Sequence, residues 1–198
     1  MKKSAFGLIL YLSLICWAVN ATAATEEWEI DKAHSGVYFD IRHTYATVRG
    51  QFEEYSGTVR FDPENLQVSS VEFEVETESV NTGNPNRDNH LRSDEFFAVK
   101  QYPAMTFKST AVEPVEGNRY TLEGILTIRD VSMKIAVPMT YIGTGENPLK
   151  KGQQVAGFEA RFSIDRLDFN VGTGKYLKMG VIGKQVDILI ALEVLKNG

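Results

Sequence analysis

The sequence predicts an all-β domain, an antiparallel sandwich or barrel of about eight strands with one short helical insert. Three observations lead to this fold class. Apolar and polar residues alternate with a period of two over most of the chain, which is the pattern of half-buried strands. The alternating runs are not separated by helices, so the chain lacks the βαβ rhythm of a parallel sheet. One central segment, 84–102, breaks the alternation and predicts the insert.

Eight alternating runs follow one another along the chain. In the clearest run, Val71, Phe73 and Val75 share one face and glutamates occupy the other, a separation that a helix could not produce. A closed sheet of eight strands encloses room for packed side chains or for one ligand. The runs occupy residues 37–41, 48–61, 71–76, 105–112, 120–128, 131–141, 156–164 and 186–194.

Turn-forming residues separate these runs. Residues 62–65, 116–118 and 129–130 have the composition of tight turns, and 143–153 is predicted to be a polar loop. Pro138 lies within a run, on the face opposite the apolar residues, where it removes one backbone donor. We therefore expect that strand to run near a sheet edge or to contain a bulge at Pro138.

The segment 84–102 concentrates charged residues and then sets Phe96 and Phe97 side by side. Adjacent residues of a strand point to opposite faces, so this pair suits a helical turn that closes over the sheet. Ser93, which is followed by two acidic residues, is predicted to be a helix N-cap. Pro103 then starts the next extended run. We interpret the segment as a helical insert lying against the β-structure or across its mouth, with its arginines and aspartates forming a polar contact to the barrel end.

The first 23 residues have the pattern of a secretory signal peptide. Two lysines precede an apolar run over 5–19, and Ala21-Thr22-Ala23 forms an A-x-A cleavage site. The run is shorter than the ~20 residues that span a bilayer, which disfavours a membrane anchor. The residue before Cys16 is isoleucine, not the small residue of a lipid-modification site. We expect residues 1–23 to be removed, leaving an exported domain of residues 24–198 without cysteine.

The charge balance excludes some partners. Loss of the two signal-peptide lysines would change the formal net charge from −5 to −7. No basic run remains in the mature chain, which argues against a nucleic acid partner. An acidic surface also disfavours adsorption to anionic headgroups. We therefore expect neither nucleic acid binding nor stable membrane insertion.

No constellation of catalytic or metal-binding residues is visible. A three-histidine zinc site would require His34, His43 and His90 to converge, but the first two bracket one predicted strand. There is no Gly-x-Ser-x-Gly elbow. The segment 172–175 resembles half of a phosphate loop, but phenylalanine stands where the first glycine belongs and no helix pattern follows. We predict no catalytic residue, no metal and no cofactor, with 167–179 as an irregular segment.

Large apolar side chains are more numerous than a small barrel interior requires. Taken singly, each is a core residue; together, the excess suits a subunit interface, a helical lid or a cavity for an apolar ligand. The apolar faces of the strands are expected to point inward, and Phe96 and Phe97 of the helical insert to close over them. The predicted ligand-binding residues are Val37, Phe39, Ile41, Phe52, Phe73, Val75, Phe96, Phe97, Phe107, Met133, Ile135, Phe158 and Phe162.

Several motifs resemble those of the YceI family, and together they span essentially the whole mature chain. Two positions depart from the family pattern, since Asp130 and Asn170 stand where the family commonly has glycine. The matching segments are Trp28-Glu29-Ile30-Asp31, His34-Ser35, residues 37–43, Gly50-Gln51-Phe52, Tyr55-Ser56-Gly57, residues 87–97, Tyr102-Pro103, residues 126–129 and residues 166–171.

The resemblance implies an extended eight-stranded antiparallel barrel of lipocalin type with a lengthwise apolar tunnel. It also implies a periplasmic protein that binds an isoprenoid lipid, such as a quinone or a prenyl phosphate. Dimers are reported for the family, so a homodimer is an open alternative. Non-enzymatic lipid binding, storage or transport is therefore the favoured function. The alternatives are a periplasmic enzyme acting on an isoprenoid headgroup and a metal-binding or interaction module.

Overall fold

The computed structural model describes residues 27–197, and β-strands account for most of this range. The predicted all-β fold class is confirmed, while the predicted signal peptide lies outside the described residues. No helix within 27–197 is long and apolar enough to cross a membrane. The strands are β1 Glu27–Ile30, β2 Gly36–His43, β3 Ala46–Phe52, β4 Tyr55–Arg60, β5 Ser70–Glu76, β6 Val80–Asn81, β7 Ala104–Glu116, β8 Arg119–Ile128, β9 Val131–Glu146, β10 Gln153–Asp165 and β11 Ile182–Asn197.

The strands close into an antiparallel barrel with eight strand positions. Three positions are interrupted and consist of β1 with β2, β3 with β4, and β5 with β6. Closure comes from β11, which pairs with β10 on one side and with β2 and β1 on the other. The eight-stranded antiparallel barrel with a short helical insert is thus confirmed. The interruptions differ from the prediction, because the run 48–61 breaks at Glu53 and Glu54 instead of forming one bent strand.

Pro138 marks the place where two neighbouring strands separate. β9 pairs with β8 from Val131 to Thr140, but its ladder with β10 ends at Met139 opposite Ala160. Pro138 is the next residue and has no N–H to continue that ladder. A bulge at Ile142 also interrupts the same pair of strands. Residues 131–138 thus lie at a local sheet edge, as expected, whereas the bulge is at Ile142 and not at Pro138. We call the unpaired stretch beside residues 131–138 the β9–β10 gap.

Two helices interrupt the barrel: α1 Pro85–Arg92 and α2 Gly174–Lys178. The prediction of Ser93 as N-cap is wrong, because Ser93 is the C-cap of α1. The N-cap is Asn84, whose side chain accepts hydrogen bonds from the backbone N–H groups of Asn86 and Arg87 at 3.1 and 3.2 Å. Pro85 suits the first helical position, where no backbone donor is needed. The irregular segment 167–179 also contains a helix, α2, that was not predicted.

Polar contacts attach α1 to the barrel end, as predicted. Asp88 is buried and accepts a hydrogen bond from the backbone N–H of Thr82 at 2.9 Å. Arg87 donates to the side chain and the carbonyl of Thr82. Arg92 donates to the carbonyls of Glu78 and Val80 at 2.7 Å. These bonds satisfy backbone groups where β6 ends and hold α1 across the barrel end.

Candidate ligand-binding cavity

The barrel interior contains a cavity of about 590 Å³ with a mainly apolar wall. This volume falls within the range of small-molecule binding sites. The wall arises from the strand alternation, because every second residue points inward. In β5, for example, Val71, Phe73 and Val75 line the cavity while Glu72 and Glu74 are exposed.

Twelve of the thirteen predicted ligand-binding residues line this cavity. The exception is Met133, which shares the parity of Ile135 but is 37% exposed. Its position beside the β9–β10 gap explains the exposure, since no β10 residue pairs with this half of β9. Contact with a ligand stays a prediction for all thirteen. The lining residues are Val37, Phe39, Ile41, Phe52, Phe73, Val75, Phe96, Phe97, Phe107, Ile135, Phe158 and Phe162.

Other lining residues were not predicted from the sequence. Ile188, Ile190 and Leu192 on β11 line the wall, as do Leu122 and Leu126 on β8. Their period-two spacing was visible, but apolar residues at both parities of these runs concealed which face was inward. The polar lining residues had no comparable signal. Their place in the wall depends on α1 and on loops whose positions are set by distant contacts.

Aromatic and aliphatic clusters pack at both ends of the barrel. At the end where β4 and β5 meet, the ring of Phe61 contacts those of Tyr120, Tyr141 and Phe158 at centroid distances of 5.0 to 5.3 Å. At the α1 end, a second cluster contains Phe96, Ile128, Phe169 and Val171. The apolar space therefore lies between two packed regions.

Buried arginine contacts hold the loops at the α1 end. Arg166 is buried and donates to the carbonyls of Gly183 and Val171 at 2.8 and 2.7 Å. Burial lowers the pKa of Arg166 because the charged form loses solvation. Gly172 has a φ of +73°, and a Cβ there would lie 2.6 Å from Nη1 of Arg166. Arg129 also donates to the carbonyl of Phe96 at 2.7 Å, tying the β8–β9 turn to the insert.

Five polar lining residues gather at the same end of the cavity. They come from the start of α1 and from the end of β2, and they include Asn84, Asn86, Arg87, His90 and His43. This group, which we call the polar rim, gives the cavity one hydrophilic end. The Nε2 atom of His90 lies 2.8 Å from a carboxylate oxygen of Glu95. This hydrogen bond lowers the pKa of Glu95, and a further bond from Tyr176 acts in the same direction.

The histidines do not form a shared site within the described residues. His43 and His90 belong to the polar rim, whereas His34 lies 2.8 Å from Asp31 in the connection between β1 and β2. The hydrogen bond raises the pKa of His34 and lowers that of Asp31. Within 27–197, the residues that could hold a cation together are Asp31, His34 and Glu193, whose ligand atoms lie within 4.8 Å of one another.

A closed antiparallel barrel around an apolar cavity, with one polar end, is the architecture of barrels that hold a single apolar ligand. Comparison with known proteins gives the family. Residues 28–194 match the model of the YceI-like domain. Protein YceI of Escherichia coli O157:H7 is 37% identical over 98% of this chain and 97% of its own length. The chain belongs to the YceI family.

Solved structures share the fold. BcnA of Burkholderia cenocepacia has a TM-score of 0.74 at 27% identity, over 85% of this chain and all of its own. The YceI protein of Campylobacter jejuni has a TM-score of 0.68 at 31% identity, over 87% of this chain and 99% of its own. A polyisoprenoid binding domain from Saccharophagus degradans, implicated in plant cell wall breakdown, has a TM-score of 0.63 at 16% identity, over 84% of this chain and 97% of its own.

Proposed function

We propose that this protein binds a polyisoprenoid lipid in its barrel cavity and stores or transports it in the periplasm without changing it chemically. The observation that carries the proposal is the apolar cavity of about 590 Å³ with a polar rim at one end. A lipid with a long apolar tail and one polar group has the same distribution of polarity. The family relationship and the fold shared with a polyisoprenoid binding domain support this ligand class.

The wall suits a chain that carries many methyl branches. Phe39, Phe52 and Phe97 form a continuous aromatic surface with centroid distances of 5.6 and 5.7 Å. Such a surface offers dispersion contacts along a flexible tail but few directional bonds. The polar group of the lipid would then lie at the polar rim, where the guanidinium of Arg87 supplies hydrogen-bond donors. A quinone carbonyl and a prenyl phosphate both accept such bonds, and an anionic phosphate would gain more from Arg87.

Organic extraction of the purified exported protein, followed by mass spectrometry, tests the proposal. We expect a stoichiometric isoprenoid lipid, and reloading of the stripped protein with a quinone or a prenyl phosphate should restore it. Incubation with a prenyl phosphate should release no inorganic phosphate. Purified protein that contains no lipid and binds neither the quinone nor the prenyl phosphate would contradict the binding function. Catalytic release of phosphate would instead support an enzyme acting on the headgroup.

A further inference from the structure

Two exposed segments meet at the end of the barrel that carries the polar rim. The β2–β3 turn presents Tyr45, which is 92% exposed, and the segment after α2 presents Met179, which is 62% exposed. Leu177 is also exposed. The backbone N–H of Thr44 donates to the carbonyl of Val181 at 2.8 Å and joins the two segments. We call the surface formed by these three side chains and by Arg42, Lys175 and Lys178 the tip.

The tip is basic, whereas the protein as a whole is acidic. Residues 41–52 and 169–186 contain no aspartate or glutamate, although acidic residues outnumber basic ones in the whole chain. Arg42, Lys175 and Lys178 belong to these segments, and none of them forms an ion pair within the described part of the chain. The positive charge of Lys175 contributes to the lowered pKa of Glu95, after the hydrogen bonds that Glu95 accepts from His90 and Tyr176.

Two other cations of the same segments are already neutralised. Arg49 forms a salt bridge with Asp40 at 2.6 Å, and Lys184 forms one with Asp165 at 2.9 Å. Within residues 41–52 and 169–186, the cations without an ion pair are therefore Arg42, Lys175 and Lys178, near the exposed apolar side chains of the tip. Apolar residues surrounded by lysine and arginine are the arrangement of surfaces that rest on anionic bilayers.

The cavity wall reaches residues beside the tip, including the exposed His43. His43 and Ile182 line the cavity and are paired with each other across β2 and β11. Along the chain, His43 lies two residues from Tyr45, and Ile182 lies three residues from Met179. A bilayer in contact with the tip would thus face the polar rim, where the lipid would enter or leave.

We propose that the tip docks reversibly on the surface of a bilayer that contains anionic lipids and places the cavity mouth against it. The inference extends the proposed function, because docking gives a lipid a route between bilayer and cavity that avoids water. The overall acidic charge disfavours adsorption of the protein as a whole, so docking would be confined to this end. Insertion would be shallow, since few apolar side chains are exposed there.

Vesicle flotation tests the docking without any isoprenoid. The wild-type protein should float with vesicles of phosphatidylethanolamine and phosphatidylglycerol at low salt. It should remain unbound with phosphatidylcholine vesicles or in 0.5 M salt. Lys175→Gln with Lys178→Gln should weaken binding roughly 30-fold, from about 1 kcal/mol per cation at an anionic surface. Tyr45→Ser with Met179→Ser should also weaken it.

Leu149→Ser is the matched control, because Leu149 is also 92% exposed but lies in the β9–β10 loop at the opposite end of the barrel. It should float as the wild type does. The proposal would be overturned if the tip variants and the control variant floated equally. Equal binding of the wild type to anionic and to phosphatidylcholine vesicles would also overturn it. A change in oligomeric state in the tip variants alone, measured by light scattering, would overturn it in favour of contact between two copies. Native mass spectrometry with added quinone, in the absence of vesicles, checks ligand binding separately.

Discussion

Replacement of Phe73 by leucine separates lipid selection from core packing. Phe73 lines the cavity and stacks on Tyr55 with 5.8 Å between ring centroids. Leucine nearly conserves the hydrophobicity of phenylalanine, so the swap costs about 1 kcal/mol, and loss of one aromatic pair adds about 0.5–1.5 kcal/mol. We expect the free energy of unfolding to fall by about 1–3 kcal/mol. That loss leaves most domains folded.

Phe61 supplies the control. It is 8% exposed, as is Phe73. However, Phe61 packs at the barrel end opposite the polar rim and contacts three aromatic rings, whereas Phe73 contacts one. Phe61→Leu should therefore lose more stability than Phe73→Leu, measured by urea unfolding.

Lipids extracted at equal folded fraction provide the second readout. Phe73→Leu should change the retained chain lengths, whereas Phe61→Leu should keep the wild-type profile. An unaltered profile in Phe73→Leu, or no lipid in any of the three proteins, would refute the assignment of this face as cavity wall.

Three further predictions concern the mature N-terminus, the exposed pair of His34 with Asp31, and the N-cap of α1. The exported protein should begin within a residue or two of Ala24 by intact mass, and a lipid on Cys16 would contradict this. His34→Gln should lower the thermal midpoint more at pH 5 than at pH 9. The raised pKa of His34 stabilises the fold below the unfolded value of ~6.5, and this contribution is lost as the pH rises through the folded value; equal losses would contradict it. Asn84→Ala should cost about 1 kcal/mol in urea unfolding, whereas Asn84→Asp, which keeps the cap, should cost less.

The barrel was predictable because its strands carry local information. In β5, alternation alone separates the buried Val71, Phe73 and Val75 from exposed glutamates. Pro138 gave similarly local information, since a residue without an N–H must end or disturb a ladder. The end of the β9–β10 ladder follows from the missing N–H of Pro138, and predicting it required no knowledge of the partner strand.

The predictions failed where contacts between residues distant in the sequence determine the structure. Ser93 and Asn84 are both good capping residues, and the choice of Asn84 depends on contacts between α1 and Thr82 that the sequence pattern does not show. Met133 has inward parity, but the β9–β10 gap exposes it. The mouth of the cavity likewise combines α1 with the end of β2, and no spacing rule brings these segments together.

For the proposed isoprenoid ligand, the reservoir against which the cavity would compete is the bilayer and not water. A methylene group gains about 0.8 kcal/mol on leaving water, but an isoprenoid tail in a membrane has already left it. Apolar contacts in the cavity thus replace apolar contacts in the bilayer, and the net free energy of transfer is small. Hydrogen bonds from the polar rim and the loss of chain entropy then determine the balance. A nearly balanced transfer would let such a protein load from one membrane and unload at another acceptor, with the direction set by lipid concentration.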